Sequence, residues 1–203
     1  MCAALFALLT WQIAARGVLY RWDVRVDAAT LRAASAHRFV RPAAQLLADL
    51  GNVGIAVPVL AVALAYAAWR HRRAGAPRWW LPSAVGALAM AVTAPLVVPV
   101  KDLIARPSPP TARLIGHSGY FPSGHAATAA MAYGLAALVL LRLLQRGAAR
   151  RLLVTAAVLL NAAVGAALVW RGYHWPLDVA ASWCLCGALL TLARLTSWWG
   201  TRG

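Results

Sequence analysis

Residues 79–100 read WWLPSAVGALAMAVTAPLVVPV, 22 positions without a charged side chain. A bilayer core about 30 Å thick needs about 20 residues of helix to cross it. No water is present there to satisfy backbone N–H and C=O groups, so a segment of this kind must be helical. Its borders are marked on both sides. Arg70, Arg72, Arg73 and Arg78 precede it, and Lys101 and Asp102 follow it.

Outward from this stretch the pattern repeats. Apolar blocks lie near residues 2–20, 50–69, 79–100, 121–141, 152–170 and 175–193, and the fifth is also free of charge. Trp69, Trp79, Trp80, Trp170, Trp175, Trp198 and Trp199 sit near block ends, as in the aromatic belts of membrane proteins. The composition agrees: 62% hydrophobic and 12% charged, where soluble domains carry about 25% charge. These features predict an all-α polytopic membrane protein with six transmembrane helices in a single domain over residues 1–203.

The first block is the weakest span, because Arg16 interrupts it. A cleaved leader is the rival reading. No basic residue precedes the apolar stretch, which argues against one. A start upstream of Met1 would make the block the remainder of a longer span.

The net charge is +15, and 19 of the 20 basic residues are Arg. The positive residues cluster between apolar blocks, which suits anionic headgroups and gives no basic stripe on a soluble fold. Nucleic acid is excluded as a partner on this reading. Cys2, Cys184 and Cys186 read as small apolar residues, since their spacing fits neither a zinc site nor a disulfide frame.

The short loops set the orientation. Arg70–Arg78 and Arg142, Arg146, Arg150 and Arg151 belong on one side, which the positive-inside rule makes cytoplasmic. Segments 101–120 and 171–174 then share the outer side. The 21–49 stretch reads as one or two interfacial helices there, although its five Arg residues oppose the rule.

Three clusters on that outer side carry chemistry. The first is Lys101-Asp102-Leu103-Ile104-Ala105-Arg106-Pro107. The second is Pro122-Ser123-Gly124-His125, where Pro suits a first helical turn and Gly admits an anion close to the backbone. Free N–H groups and the helix dipole at such a start bind phosphate. The third is Arg171-Gly172-Tyr173-His174-Trp175-Pro176-Leu177-Asp178. His174 and Asp178 are four apart and share a helix face. A carboxylate on one ring nitrogen leaves the other free to attack. Lys101, Arg106 and Arg171 are candidate phosphate-holding cations. Alone, a His/Asp pair also fits a structural role, and a Lys or Arg at a membrane edge also fits snorkelling. His37 and His71 read as solvated, His117 as a loop residue, Asp102 as a local partner of Lys101, and Arg113 as either a headgroup or a solvated contact.

Together the clusters resemble the signature of the type 2 phosphatidic acid phosphatase superfamily, which includes bacterial lipid phosphatases and vanadium haloperoxidases. The resemblance implies catalytic roles for His174 (nucleophile), His125 (leaving-group acid) and Asp178 (orienting the nucleophile). It implies phosphate binding by Ser123, Gly124, Lys101 and Arg106, with no metal and no cofactor. Two positions depart from the family pattern. Ser108 stands where an Arg usually follows the Lys by seven residues. Leu168 stands where an Arg usually precedes the nucleophile by six. Arg171, one turn on, is the expected substitute and joins the substrate-binding set.

The resulting expectation is a phosphatase acting on a lipid phosphomonoester or diphosphate, phospholipid or isoprenyl, through a phosphohistidine. It would lie in a bacterial inner (plasma) membrane among membrane lipids, with the site at the outer membrane–water interface. A lipid phosphotransferase with the same chemistry and a catalytically impaired lipid-binding relative are the alternatives.

Overall fold

A computed structural model describes residues 1–110 and 119–199. His117 and Arg113 lie outside the described residues, as do the side chains of Trp198 and Trp199. In chain order the helices are α1 (Cys2–Ala14), α2 (Val18–Ala36), α3 (Arg41–Asp49), α4 (Val53–Arg73), α5 (Leu81–Ala91), α6 (Thr93–Ile104), α7 (Gly124–Leu141), α8 (Gly147–Trp170) and α9 (Pro176–Trp199). A single 3₁₀ turn, Arg38–Val40, joins α2 to α3.

The opening of α7 explains its place. Six of its first nine residues are Gly or Ala, so neighbouring backbones can approach closely. Within its apolar window 61% of residues are buried, against 17–33% for the other spans, which makes α7 the hub of the bundle. Helices α4, α5, α6, α8 and α9 all pack on it. Close approach recurs between α8 and α9. A Cβ at Gly165 would stand 2.4 Å from the Trp183 ring and 2.7 Å from Val179.

Among the described residues, five spans are long and apolar enough to cross a membrane: α4, α5 with α6, α7, α8, and α9 as far as Thr196. Their outward faces are apolar, with Val62, Leu88, Leu152 and Leu159 exposed. That is the pattern of a protein whose solvent is lipid. The charge-free stretch read as one span breaks locally at Val92, between α5 and α6, and runs on to Ile104.

A sixth candidate crossing begins with α1, the first helix of a bent pair. α1 has 13 residues, about 20 Å at 1.5 Å per residue, short of the hydrocarbon thickness. Arg16 then takes a positive φ of 49°, and α2 leaves at 81° to α1. Arg21, Asp23, Arg25, Asp27 and Arg32 keep α2 outside the membrane-spanning set. α1 lies on α9 and α6, and α2 touches α8 and α9. The 21–49 stretch is thus helical, as expected, and it closes over the end of the bundle that carries the three clusters.

Candidate active site

Each cluster is placed by a local feature. α6 ends at Ala105, whose left-handed backbone (φ 44°) turns Arg106 inward. Lys101, one turn earlier, donates from Nζ to the Gly119 carbonyl at 3.0 Å. Gly119 is obligatory, because a Cβ there would stand 2.3 Å from the Lys101 carbonyl oxygen. Ser123 caps α7, its Oγ accepting from Ala126 N–H at 3.2 Å. Its own N–H donates to the Asp178 carbonyl at 3.1 Å. Ser182 Oγ lies 2.8 Å from the carbonyl oxygens of both Ser123 and Asp178. The starts of α7 and α9 are therefore fastened together.

The turn from α8 to α9 carries Gly172 at φ 65° and then His174. Asp178, fully buried in the first turn of α9, uses both carboxylate oxygens. Oδ2 accepts from Trp175 N–H at 3.2 Å and faces His174 Nδ1 at 3.4 Å. Oδ1 accepts from Arg106 Nη1 at 2.6 Å. The His174 ring centroid is 6.3 Å from that of His125 and 5.7 Å from that of Tyr120. A carboxylate on Nδ1 fixes the proton on that nitrogen and leaves Nε2 as a nucleophilic lone pair.

A cavity of about 1130 Å³ opens beside this group. Lys101, Gly119, Tyr120, Gly124, His125 and His174 form its polar end. Val57, Leu60, Leu64, Met90 and Val97 carry it down between α4 and the α5–α6 span. A ligand that fits is polar at one end and apolar along the rest.

The structure brings His174, His125, Asp178, Lys101, Ser123 and Gly124 together. Ser123 is buried behind the cavity wall, where its side chain serves the helix start. Arg106 is placed differently from the other expected phosphate cations. Its side chain is 1% exposed and its two terminal nitrogens are each 2.6 Å from a carboxylate, Asp178 on one side and Asp23 on the other. The rings of Tyr20 and Trp175 cover it at 5.4 and 4.8 Å. Arg171 donates from Nε to Gln45 Oε1 at 2.8 Å and from Nη2 to the Tyr173 hydroxyl at 3.0 Å. Leu168 is fully buried. Lys101 gives its Nζ hydrogen bond to the Gly119 carbonyl and not to Asp102, whose charge nevertheless acts on it.

Sequence reasoning missed Asp23, Gln45, Asp49 and Asn52. Asp23 Oδ1 also accepts from Leu177 N–H at 2.9 Å, tying α2 to the first turn of α9. Burial raises the Asp23 carboxyl, although Arg106 opposes that. Asp27, one turn on, is raised to about 6 by burial and then by the charge of Asp23, against the pull of Arg106. Its Oδ1 has no hydrogen-bond partner among the described residues. The available signal was scarcity: the chain has five acidic residues, and two of them stand four apart on α2.

The PAP2 superfamily model matches residues 80–202, which include all three clusters. Among solved structures, the chain is similar to a transmembrane PAP2 type phosphatidylglycerolphosphate phosphatase from Bacillus subtilis, with a TM-score of 0.79 and 21% identity over 95% of this chain and 94% of that one. At that identity the likeness concerns the fold. No curated protein matches the chain.

Proposed function

The chain belongs to the PAP2 superfamily, and from that premise we propose that it hydrolyses a phosphomonoester or diphosphate borne by a membrane lipid, through a phosphohistidine on His174. One observation carries this reading: His174, backed by the buried Asp178, and His125 share the polar end of a cavity whose remaining walls are apolar. A lipid phosphate fits such a cavity headgroup-first.

His174 Nε2 attacks phosphorus while Asp178 holds Nδ1–H and stabilises the charge that builds on the ring. His125 gives a proton to the departing oxygen, then takes one from the water that hydrolyses the phosphohistidine. Lys101 and the Ser123–Gly124 helix start hold the equatorial oxygens. Arg171, three residues before His174, adds positive charge. Arg106 acts through Asp178, holding its carboxylate so that Oδ2 faces His174. No step requires a metal, because positive charge and proton transfer are both assigned to side chains.

The site faces the extracytoplasmic side. Arg142, Arg150, Arg151 and Arg194 gather at the opposite end of the bundle, and the positive-inside rule puts that end in the cytoplasm. Cysteines introduced at Ala74 and Pro110, in a chain cleared of its three native ones, should label from opposite sides; labelling from one side overturns the topology.

Purified protein given a panel of lipid phosphates should release phosphate in the presence of chelator and stop in vanadate. His174→Ala should abolish both turnover and acid-trapped phosphoenzyme. Turnover that requires added magnesium, or that survives His174→Ala, overturns the mechanism.

A further inference from the structure

Residues 45–52, the corner where α3 hands over to α4, lie outside the matched family region and carry none of the three clusters. They nevertheless reach the site. Asn52 Oδ1 lies 3.1 Å from His125 Nε2. Asn52 Nδ2 lies 3.4 Å from Asp49 Oδ1, and the same carboxylate oxygen accepts from Gln45 Nε2 at 2.8 Å. Gln45 Oε1 in turn accepts from Arg171 Nε at 2.8 Å and from the Tyr173 hydroxyl at 2.7 Å. An unbroken polar chain thus runs from the turn that carries His174 to the ring of His125.

The corner is held rigidly against α7. The Tyr133 hydroxyl donates to the Leu50 carbonyl at 2.8 Å. A Cβ at Gly51 would stand 3.0 Å from the His125 carbonyl oxygen. Asn52 and His125 both line the catalytic cavity.

The direction of these bonds decides the chemistry. A carboxylate only accepts, so Asp49 requires the NH₂ side of the Asn52 amide. That leaves the amide oxygen facing His125, and an oxygen there requires a proton on Nε2.

We propose that Asn52, oriented by Asp49, is a positioning residue that keeps His125 Nε2 protonated and aimed into the cavity as the leaving-group acid. The inference rests on the phosphatase reading above and assigns a residue to it. The ring enters as imidazolium. As the phosphorus–His174 bond forms and the phosphorus–oxygen bond to the lipid breaks, the Nε2 proton passes to the departing oxygen. The ring is left neutral with its proton on Nδ1. Its bare Nε2 lone pair then faces the Asn52 oxygen, a repulsion relieved when Nε2 takes a proton from the water that attacks the phosphohistidine. The other titratable groups around His125 among the described residues are His174, Lys101 and Tyr120 on the cavity wall, with Asp49 behind Asn52.

The test compares Asn52→Leu, which keeps the bulk, with Asn52→Asp, which keeps an acceptor, on a lipid alkyl phosphate and on an aryl phosphate. The alkyl alcohol is the poor leaving group and needs the acid; the aryl oxide needs it little. Asn52→Leu should lower kcat on the lipid about tenfold, the effect of one lost hydrogen bond in the transition state. It should change aryl phosphate turnover less than about twofold on the same basis, and it should move the basic limb of the kcat–pH profile to lower pH. Asn52→Asp should recover the lipid rate and move that limb to higher pH. Equal losses on both substrates, or a limb that stays in place in both variants, overturns the inference while wild-type turnover and its loss in His174→Ala still support the phosphatase reading. Wild-type protein that releases no phosphate from either substrate overturns both.

Discussion

The bundle has a cavity at each end, and the two are nearly equal in size, about 1130 Å³ at the histidine end and about 1070 Å³ at the arginine end. Their chemistry is opposite. The arginine-end cavity is lined by Arg142, Arg150, Arg151, Arg194 and His71. Arg150 serves as a cap there, donating to the carbonyls of Leu141 and Leu144. The histidine-end cavity has one lysine on its wall. All five acidic residues of the chain, Asp23, Asp27, Asp49, Asp102 and Asp178, lie at that same end. What distinguishes the reactive end is therefore neither volume nor positive charge. It is the pair of carboxylates near the histidines, Asp178 against His174 and Asp49 behind Asn52 and His125, to which the proposed mechanism gives the placing of their protons.

The two ends should differ most in what they lose at Asp178. Asp178→Asn keeps the shape but removes the acceptor that faces His174 Nδ1, and should lower kcat about 10⁴-fold, as loss of the orienting carboxylate does in hydrolytic triads. Phosphate release measures it, and a loss under tenfold would mean that the carboxylate does not set the tautomer.

Next in size is Arg106→Leu. It leaves Asp23 and Asp178 buried without their cation and should cost about 3–5 kcal/mol of stability, the usual effect of removing one partner from a buried ion pair. Thermal unfolding in detergent reads this. Unchanged stability together with a raised KM would return Arg106 to the role of substrate cation.

A smaller effect of opposite sign is expected at Asp27. Its folded value of about 6 lies above its ordinary 3.8. A carboxyl raised by folding binds its proton more tightly in the native state, so it subtracts stability progressively as pH rises between those two values. A difference of about two pH units is worth about 3 kcal/mol. Asp27→Asn should therefore stabilise the protein at pH 7.5 and lose most of that advantage near pH 4. A variant less stable than wild type at pH 7.5 would show that the charge is needed where it lies.

The smallest effect belongs to the arginine-end cavity. Arg150→Ala should leave kcat within about twofold of wild type and stability within about 1 kcal/mol, as expected for an exposed charge away from the reacting groups. A tenfold loss of turnover would mean that the two ends are coupled.

Local features were legible in the sequence. The charge-free stretches gave the spans, because a bilayer imposes one length and one backbone solution. The block at 121–141 corresponds to α7 and that at 152–170 to most of α8. The His174–Asp178 spacing gave a pair within reach, because four residues make a turn. The long-range partners were not legible. Arg106 shows its charge in the sequence but not Asp23, 83 residues away, whose carboxylate occupies it. Asn52 is an ordinary helix-start residue until the fold sets it beside His125. The bend at Arg16 was hidden too, since an Arg after 15 uncharged residues reads as the edge of a span rather than a corner.

The Asp23–Arg106–Asp178 triad also bears on biogenesis. Its members come from α2, from the end of α6 and from the last helix, and the bond from Leu177 N–H back to Asp23 spans 154 residues. At about 5–20 residues per second of synthesis, Asp23 waits roughly 10–30 s for its partners on the final helix. A nascent chain without α9 lacks Asp178 and cannot close the triad, so the arrangement around His174 forms only when α9 joins the bundle.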